Sequence, residues 1–361
     1  MAVLWLAGPP GVGKTTTAWS LYRRLSADGV PLAFVDADQL GMSRPTPHGD
    51  PETHSFKAAG ARALADVYAS QGYHLVVSGG IQIDLQAAVY RRAFERTELL
   101  ICRLRLDGDL LAARYAARGH WVDSIGEIRD EGAALDRTRF ADLVVDVSGP
   151  DAQASVSSVL AAIGEWPSAA PAALSPRAPG AVPTGLPGRA VVLVGDRAAG
   201  VSTAAWFVYC QLAEDGHHVS FVDAAQLDHV ARRGPATHEL AWAERVRAVV
   251  GTSVALGSVE LVMAASLDAV PAVRTALGDS ASFVVLEVDA QVRASRLAAR
   301  ARGEGVRLPG DDLVGLAEPE QRAVLERPVP GLDPAIPVAR LDATGLDPRE
   351  TAAAVLRLAG N

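Results

Sequence analysis

The sequence predicts an α/β chain of two tandem domains, each a parallel five-stranded sheet with helices on both faces. Short apolar runs alternate with stretches of helical periodicity. The pattern occurs twice, because residues 8–40 align with 195–227 without a gap and 15 of the 33 positions are identical. A proline-rich stretch separates the copies, with six prolines from Pro167 to Pro187. Strands separated by helices favour a parallel sheet covered on both sides.

The elements of the first copy follow in order. Val3–Leu6 reads as a short buried strand. Thr15–Ala27 reads as a helix, with apolar residues at Ala18, Leu21, Tyr22 and Leu25 and a stop at Asp28-Gly29. Ala33–Asp36 is the second strand, Ser55–Ser70 the next helix, and His74–Val77 the third strand. Leu99–Leu104 and Leu143–Val147 complete five. The repeat then resumes, with Phe34-Val-Asp-Ala echoed by Phe221-Val-Asp-Ala and Arg114 and Arg118 by Arg296 and Arg300. The expected division is 1–165, a Pro/Ala-rich linker at 166–188, and 189–361. Proline at the linker's density favours extended, semi-rigid chain.

Composition excludes several classes. Hydrophobic residues make up 49% of the 361, enough to bury a core in each domain. The net charge is −8 and no basic cluster interleaves with aromatics, so neither nucleic acid nor a membrane surface is an expected partner. No apolar run reaches the ~18 residues of a membrane span, and no leader pattern opens the chain. Cys102 and Cys210 lie in apolar segments and read as reduced thiols, which points to the cytoplasm. Only two of 34 basic residues are lysine, Lys14 and Lys57. In an arginine-rich chain, a retained lysine suggests work a planar guanidinium cannot do.

The most specific motif is Gly8-Pro-Pro-Gly11-Val12-Gly13-Lys14-Thr15, which fits G-x-x-x-x-G-K-[ST] between a strand and a helix. Its glycines let backbone amides turn inward around phosphate oxygens, and the helix adds its positive end. Gly8, Gly11, Val12, Gly13, Lys14, Thr15 and Thr16 are therefore the expected nucleotide contacts. Lys14 supplies a point charge to the outer phosphates and the Thr15 hydroxyl a ligand for Mg²⁺. Asp36 and Asp38 flank a small residue at the end of the second strand, beside that loop, where a carboxylate can hold a metal-bound water or take a proton from a hydroxyl. Arg114 and Arg118 share a helix face after the fourth strand. Arg44, His54 and Lys57 follow the Asp36-x-Asp38 strand and, with Gly79-Gly80, are acceptor-side candidates; Arg62 is a further cation there.

The loop, Asp36-Ala-Asp38 and Ser78-Gly79-Gly80 resemble the small-molecule kinase branch of P-loop proteins: shikimate, gluconate and adenylylsulfate kinases, within the nucleoside monophosphate kinase fold. The first copy is also similar to uncharacterised AAA-type ATP-binding proteins of actinobacteria. The resemblance covers most of 1–165. It implies ATP and Mg²⁺, with Asp36 near the metal, Asp38 at the acceptor hydroxyl, and Arg114 and Arg118 in a lid over the transferring phosphoryl group, for which the polar stretch His120–Arg139 is the candidate. Shikimate kinases carry three consecutive glycines after the third strand, whereas Ile81 follows Gly80 here, so the acceptor need not resemble shikimate.

The second copy has lost this chemistry. Its loop is Gly195-Asp-Arg-Ala-Ala-Gly200-Val201-Ser202, with Val201 in place of Lys14 and Asp196 adding negative charge. Ala225 replaces Asp38, and Ala265-Ser266 fall near Gly79-Gly80. A pseudokinase-like role follows. The expected function is Mg-ATP-dependent transfer of a phosphoryl group to a hydroxyl of a small polar or anionic acceptor by the first copy. The alternative is a nucleotide-dependent ATPase switch or a partner-binding ATP-binding protein with a regulatory second domain.

Overall fold

A computed structural model describes residues 1–50, 52–116, 125–167, 185–231, 238–305, 308–329 and 331–360. Most of the stretch read as a linker, Arg118, and the first part of the expected lid lie outside the described residues. The chain forms two compact units: Met1–Gly41, His54–Gly180 and His229–Arg233 in the first, and Met42–Thr53, Ala181–Asp228 and Gly234–Asn361 in the second. Among the described residues, no helix is long and apolar enough to cross a membrane.

In chain order the first repeat holds β1 (Ala2–Ala7), α1 (Lys14–Ala27), β2 (Leu32–Asp36), β3 (Ser43–Arg44), α2 (His54–Ser70), β4 (His74–Ser78), α3 (Asp84–Ala93), β5 (Glu98–Arg105), α4 (Gly108–Ala116), α5 (Ile125–Leu135), β6 (Leu143–Asp146) and α6 (Ala152–Ile163). Unit 1 is built on a sheet of order β2-β4-β1-β5-β6, with every pair parallel. The five strands and two helices read from periodicity agree with these bounds to within two residues. Leu4, Leu6, Phe34, Val76 and Leu104 of the sheet pack with Ala18 and Leu21 of α1 and Val156 and Val159 of α6. Trp5, Leu64, Tyr68, Tyr90 and Phe94 are also fully buried, and Trp5 alternates with Leu4 and Leu6 along β1, so it faces the opposite side of the sheet. Burial of both faces explains why the strands are continuously apolar instead of alternating.

The second repeat holds β7 (Arg189–Gly195), α7 (Val201–Glu214), β8 (Val219–Asp223), α8 (His238–Ala255), β9 (Glu260–Ser266), α9 (Val270–Leu277), β10 (Ala281–Glu287), α10 (Ala290–Ala301), α11 (Glu318–Glu326), β11 (Val338–Asp342) and α12 (Pro348–Leu358). Unit 2 carries a six-stranded sheet, β11-β10-β7-β9-β8-β3. Five of its strands repeat the order of unit 1. The sixth, β3, is antiparallel to β8.

The units depart from the division at 165 read in the sequence. Met42–Thr53, numbered within the first repeat, belongs to unit 2, and His229–Arg233, numbered within the second, belongs to unit 1. The two segments are equivalent. In unit 2 the Phe221 amide donates to the Met42 carbonyl at 2.9 Å, and in unit 1 the Phe34 amide donates to the His229 carbonyl at 2.8 Å. Phe34 and Phe221 are repeat-equivalent, as are Met42 and His229. Val230 bridges Ala33 in antiparallel sense, as Ser43 and Arg44 pair with Ser220 and Val219. Each exchanged segment therefore covers an edge strand whose amides would otherwise face solvent unpaired. The expected pair of five-stranded sheets is accordingly corrected in unit 2, where a borrowed strand makes six.

His74 at the start of β4 is 2% exposed, and its Nδ1 accepts the Ala2 amide at 3.0 Å. Accepting there requires the neutral ring. Burial holds its pKa down to about 4. An unfolded histidine titrates near 6.5, so between the two values the unfolded chain binds more protons. Stability contributed by His74 is complete above pH ~6.5 and is lost as pH falls towards 4. A His74→Gln variant, whose amide oxygen still accepts from Ala2, should show a shallower fall in melting temperature over that window. Equal slopes in the two proteins would refute the assignment.

Candidate functional site

The site in unit 1 is assembled at the carboxyl ends of β1, β2 and β4. Parallel strands leave a crevice there, and loops from neighbouring strands converge on it. Between β1 and α1 the chain turns through Gly8, Gly11 and Gly13, all with left-handed φ (+144°, +88° and +98°). Gly8 is required twice over, because a Cβ there would lie 2.8 Å from the Leu104 carbonyl oxygen. Gly13 precedes α1 and offers no side chain to cap it, so the helix opens with its first amides turned to the loop. The helix dipole adds positive potential at the same point.

Lys14 reaches back across the loop, and its Nζ donates to the Pro9 carbonyl at 3.0 Å. Thr15 Oγ1 donates to Asp36 Oδ2 at 2.9 Å. Asp36 is 8% exposed and ends β2. Its other oxygen accepts the Asp38 amide at 3.0 Å, which fixes the single 3-10 turn Ala37–Leu40. Burial raises the Asp36 pKa, and the Asp38 charge raises it further, against hydrogen bonds from the Asp38 amide and Thr15.

Asp38 has the opposite bias. Protein atoms crowding its base desolvate it in part and oppose ionisation, but Lys57 holds it as the carboxylate, with Lys14 and His54 adding to the effect, and its pKa is lowered. Lys57 Nζ lies 2.9 Å from Asp38 Oδ1, and the Lys57 side chain is largely buried while that of Asp38 is exposed. The retained lysines thus both act on one carboxylate. Two aspartates with pKa values pushed apart, beside a phosphate-type loop, are an arrangement suited to separate roles.

His54 opens α2 and is buried, with Nδ1 at 2.7 Å from the Tyr90 hydroxyl. Gly79 follows β4, and a Cβ on it would meet Ala37 Cβ at 2.8 Å and Trp5 Cζ2 at 2.9 Å. Packing therefore dictates this glycine, while Gly80 has open space where a Cβ would stand. Trp5 Nε1 donates to the Gly79 carbonyl at 3.3 Å.

Other expected residues are placed elsewhere. Arg44 lies in β3 of unit 2, where its Nη1 donates to the Ser43 carbonyl. Arg62 is paired with Asp66 and donates to Thr97 at 2.7 Å. Arg114 donates from Nη2 to the carbonyls of Val147 at 3.3 Å and Gly149 at 3.1 Å, which ties α4 to the segment after β6. Its neighbour Tyr115 backs the loop, with Cβ 3.2 Å from where a Gly11 Cβ would stand. Tyr115 and Tyr90 had no motif to mark them in the sequence. Each is recognised only by what it supports.

Among the described residues, no group of three or more His, Cys, Asp or Glu side chains is placed to hold a metal. The donors on offer are the Thr15 hydroxyl and the Asp36 carboxylate, hard oxygens of the kind Mg²⁺ prefers when substrate phosphates and water complete its shell.

No protein-family profile and no curated protein matches the chain by sequence. Solved structures similar to it include the tunicamycin resistance protein of Deinococcus radiodurans, at 19% identity and TM-score 0.37 over 45% of this chain and 95% of that one. A gluconokinase from Sinorhizobium meliloti is similar at 20% identity and TM-score 0.33, over 44% and 90% of the two chains. Shikimate kinase from Acinetobacter baumannii in complex with shikimate is similar at 18% identity and TM-score 0.32, over 44% and 91%.

Proposed function

We propose that unit 1 is a Mg-ATP-dependent phosphotransferase that moves the γ-phosphoryl group to a hydroxyl of a small polar or anionic acceptor. The observation that carries the reading is the joint placement of the Gly8–Thr15 loop, the Thr15–Asp36 hydrogen bond, and Asp38 held ionised by Lys57 with Lys14 in reach. The loop amides and Lys14 bind the triphosphate. Mg²⁺, when bound through Thr15 and an Asp36-held water, neutralises charge on the outer phosphates. Asp38 orients the acceptor hydroxyl and takes its proton, and Lys57 fixes the Asp38 carboxylate. Catalysis in this reading is positioning and charge stabilisation. Arg114 and Arg118 are the candidates to reach the phosphoryl group on closure, which for Arg114 requires release of the Val147 and Gly149 carbonyls. The second repeat lacks the lysine and the second aspartate and serves as a degenerate tandem copy.

Release of ADP from MgATP, measured with a panel of polyols, sugars and hydroxy acids, tests the reading. Acceptor-dependent release supports it. Slow release independent of every acceptor, and quickened by a protein partner, supports an ATPase switch instead.

A pH profile gives a sharper check. Asp38 must be ionised to accept a proton, and its pKa is lowered, so the acid limb of turnover should lie below the ordinary carboxylate range near 3.9. Lys57→Met removes the main cation holding it there, so the limb should move to higher pH. A limb that stays in place in the variant would remove Asp38 from the role of base.

A further inference from the structure

The degenerate loop of unit 2 keeps its shape although its glycines have thinned. Gly200 has φ +91°, and Ala198, where the first repeat has Gly11, has φ +65°. An alanine held in the left-handed region is strained, so the surrounding contacts hold the loop in place. Those contacts come from guanidinium and carboxylate groups of the same unit. Arg293 Nη1 lies 2.7 Å from Asp196 Oδ2, and its Nε donates to the Arg197 carbonyl at 3.0 Å. Arg296 Nη1 donates to the Ala199 carbonyl at 2.6 Å. The Arg293 side chain is 13% exposed and that of Asp196 24%, so this pair is built into the unit and does not belong to the solvated surface.

A strap after α10 completes the arrangement. Asp312 pairs with Arg197 of the loop, and Asp311 pairs with Arg300 of α10. The Pro309 carbonyl accepts from Gln226 Nε2 at 3.2 Å, in the turn after β8 that corresponds to the Asp38 turn of the first repeat. The Gly315 amide returns to the Ala301 carbonyl at 2.8 Å. The strap is therefore fastened to the loop, to the crevice turn and to the helix behind it.

We infer that the second loop is autoinhibited: Asp196, Asp311 and Asp312 satisfy the arginines that would otherwise draw a polyphosphate, and the strap Leu308–Ala317 closes the crevice over them. Guanidinium groups bind carboxylate and phosphate by the same forked geometry, so an internal carboxylate competes directly with an external phosphate. Being part of the same chain, it also competes without the cost of bringing two molecules together. The inference extends the reading of the first loop as a phosphate cradle, because it treats the second as a descendant of such a loop.

Inorganic tripolyphosphate, titrated calorimetrically into the full chain, is the probe. All variants carry Lys14→Met, so that gains at the second loop are read against a weakened first loop. D196N/D311N/D312N in this background should bind tripolyphosphate at least 10-fold more tightly than the Lys14→Met parent. A folded triple variant with no gain overturns the inference. So does a parent whose remaining affinity is abolished by Arg293→Ala, since the second loop would then be open as it stands. If the triple variant does not fold, D196N and D312N are read singly. Each should gain at least threefold, and no gain in either folded protein overturns the inference. Failure of the first-loop reading is seen separately, as affinity that Lys14→Met leaves unchanged in the otherwise native chain.

Discussion

On the proposed phosphotransferase reading, replacing Lys14 by methionine should lower turnover of MgATP by about 100- to 1,000-fold, the range found when one preorganised donor to developing charge is removed. Methionine fills much of the same space and keeps good helix propensity at the first position of α1. What is lost is the ammonium group, which lies 3.0 Å from the Pro9 carbonyl, inside the arc of the loop. Lys14 also helps hold Asp38 ionised, so on the proposed reading the loss would be felt on the acceptor side as well. Lys14→Arg is the informative companion. A flat guanidinium cannot lie in a nest shaped for a compact cation, and little activity should return. A melting temperature close to that of the native chain in both variants, measured beside the rates, separates chemistry from folding. Turnover and triphosphate affinity that survive in the methionine variant would remove the phosphotransferase reading altogether.

The second large effect falls on stability. Trp5→Ala should cost about 3–5 kcal/mol, as large-to-small changes at fully buried aromatics do. Trp5 has no exposed surface, and its ring centroid lies 4.3 Å from that of Tyr90 and 6.4 Å from that of Phe94. The truncation also removes the donor to the Gly79 carbonyl. Unit 1 is a domain of ordinary size, for which each kcal/mol moves the melting temperature by roughly 2–4 °C. A drop on the order of 10 °C in the transition of this unit is expected from calorimetry, and Trp5→Phe should recover part of it. A shift under about 2 °C would mean that the cluster relaxes around the cavity and that Trp5 does not brace Gly79.

Much of unit 1 was legible before any coordinates. Strands buried on both faces leave continuous apolar runs, and the helix α1 advertises itself by spacing at Ala18, Leu21, Tyr22 and Leu25. The loop was legible because its geometry demands glycines at fixed offsets, and Asp36 because it ends a strand beside that loop. The exchanged strands were not. Ser43–Arg44 is two residues long, too short to show a period, and its partner β8 lies far along the sequence. Arg44, an acceptor-side candidate by sequence, lies in that two-residue strand of unit 2. Arg114 was read from helix spacing, which fixes a face but not the carbonyls that the guanidinium finds. The pairing of Lys57 with Asp38 joins residues 19 apart whose contact depends on how α2 packs on the turn after β2.

The traded edge segments set a limit on how this gene can shrink. Deleting the second repeat would strip β2 of the chain that meets Leu32, Ala33 and Phe34 on its outer side. Deleting the first would remove the sixth strand of the other sheet. Each half therefore supplies an edge segment that the other half's sheet uses. Nicking the chain between Trp166 and Arg189 should for the same reason leave two pieces that copurify without a covalent bond between them, because each folded unit still contains backbone from both.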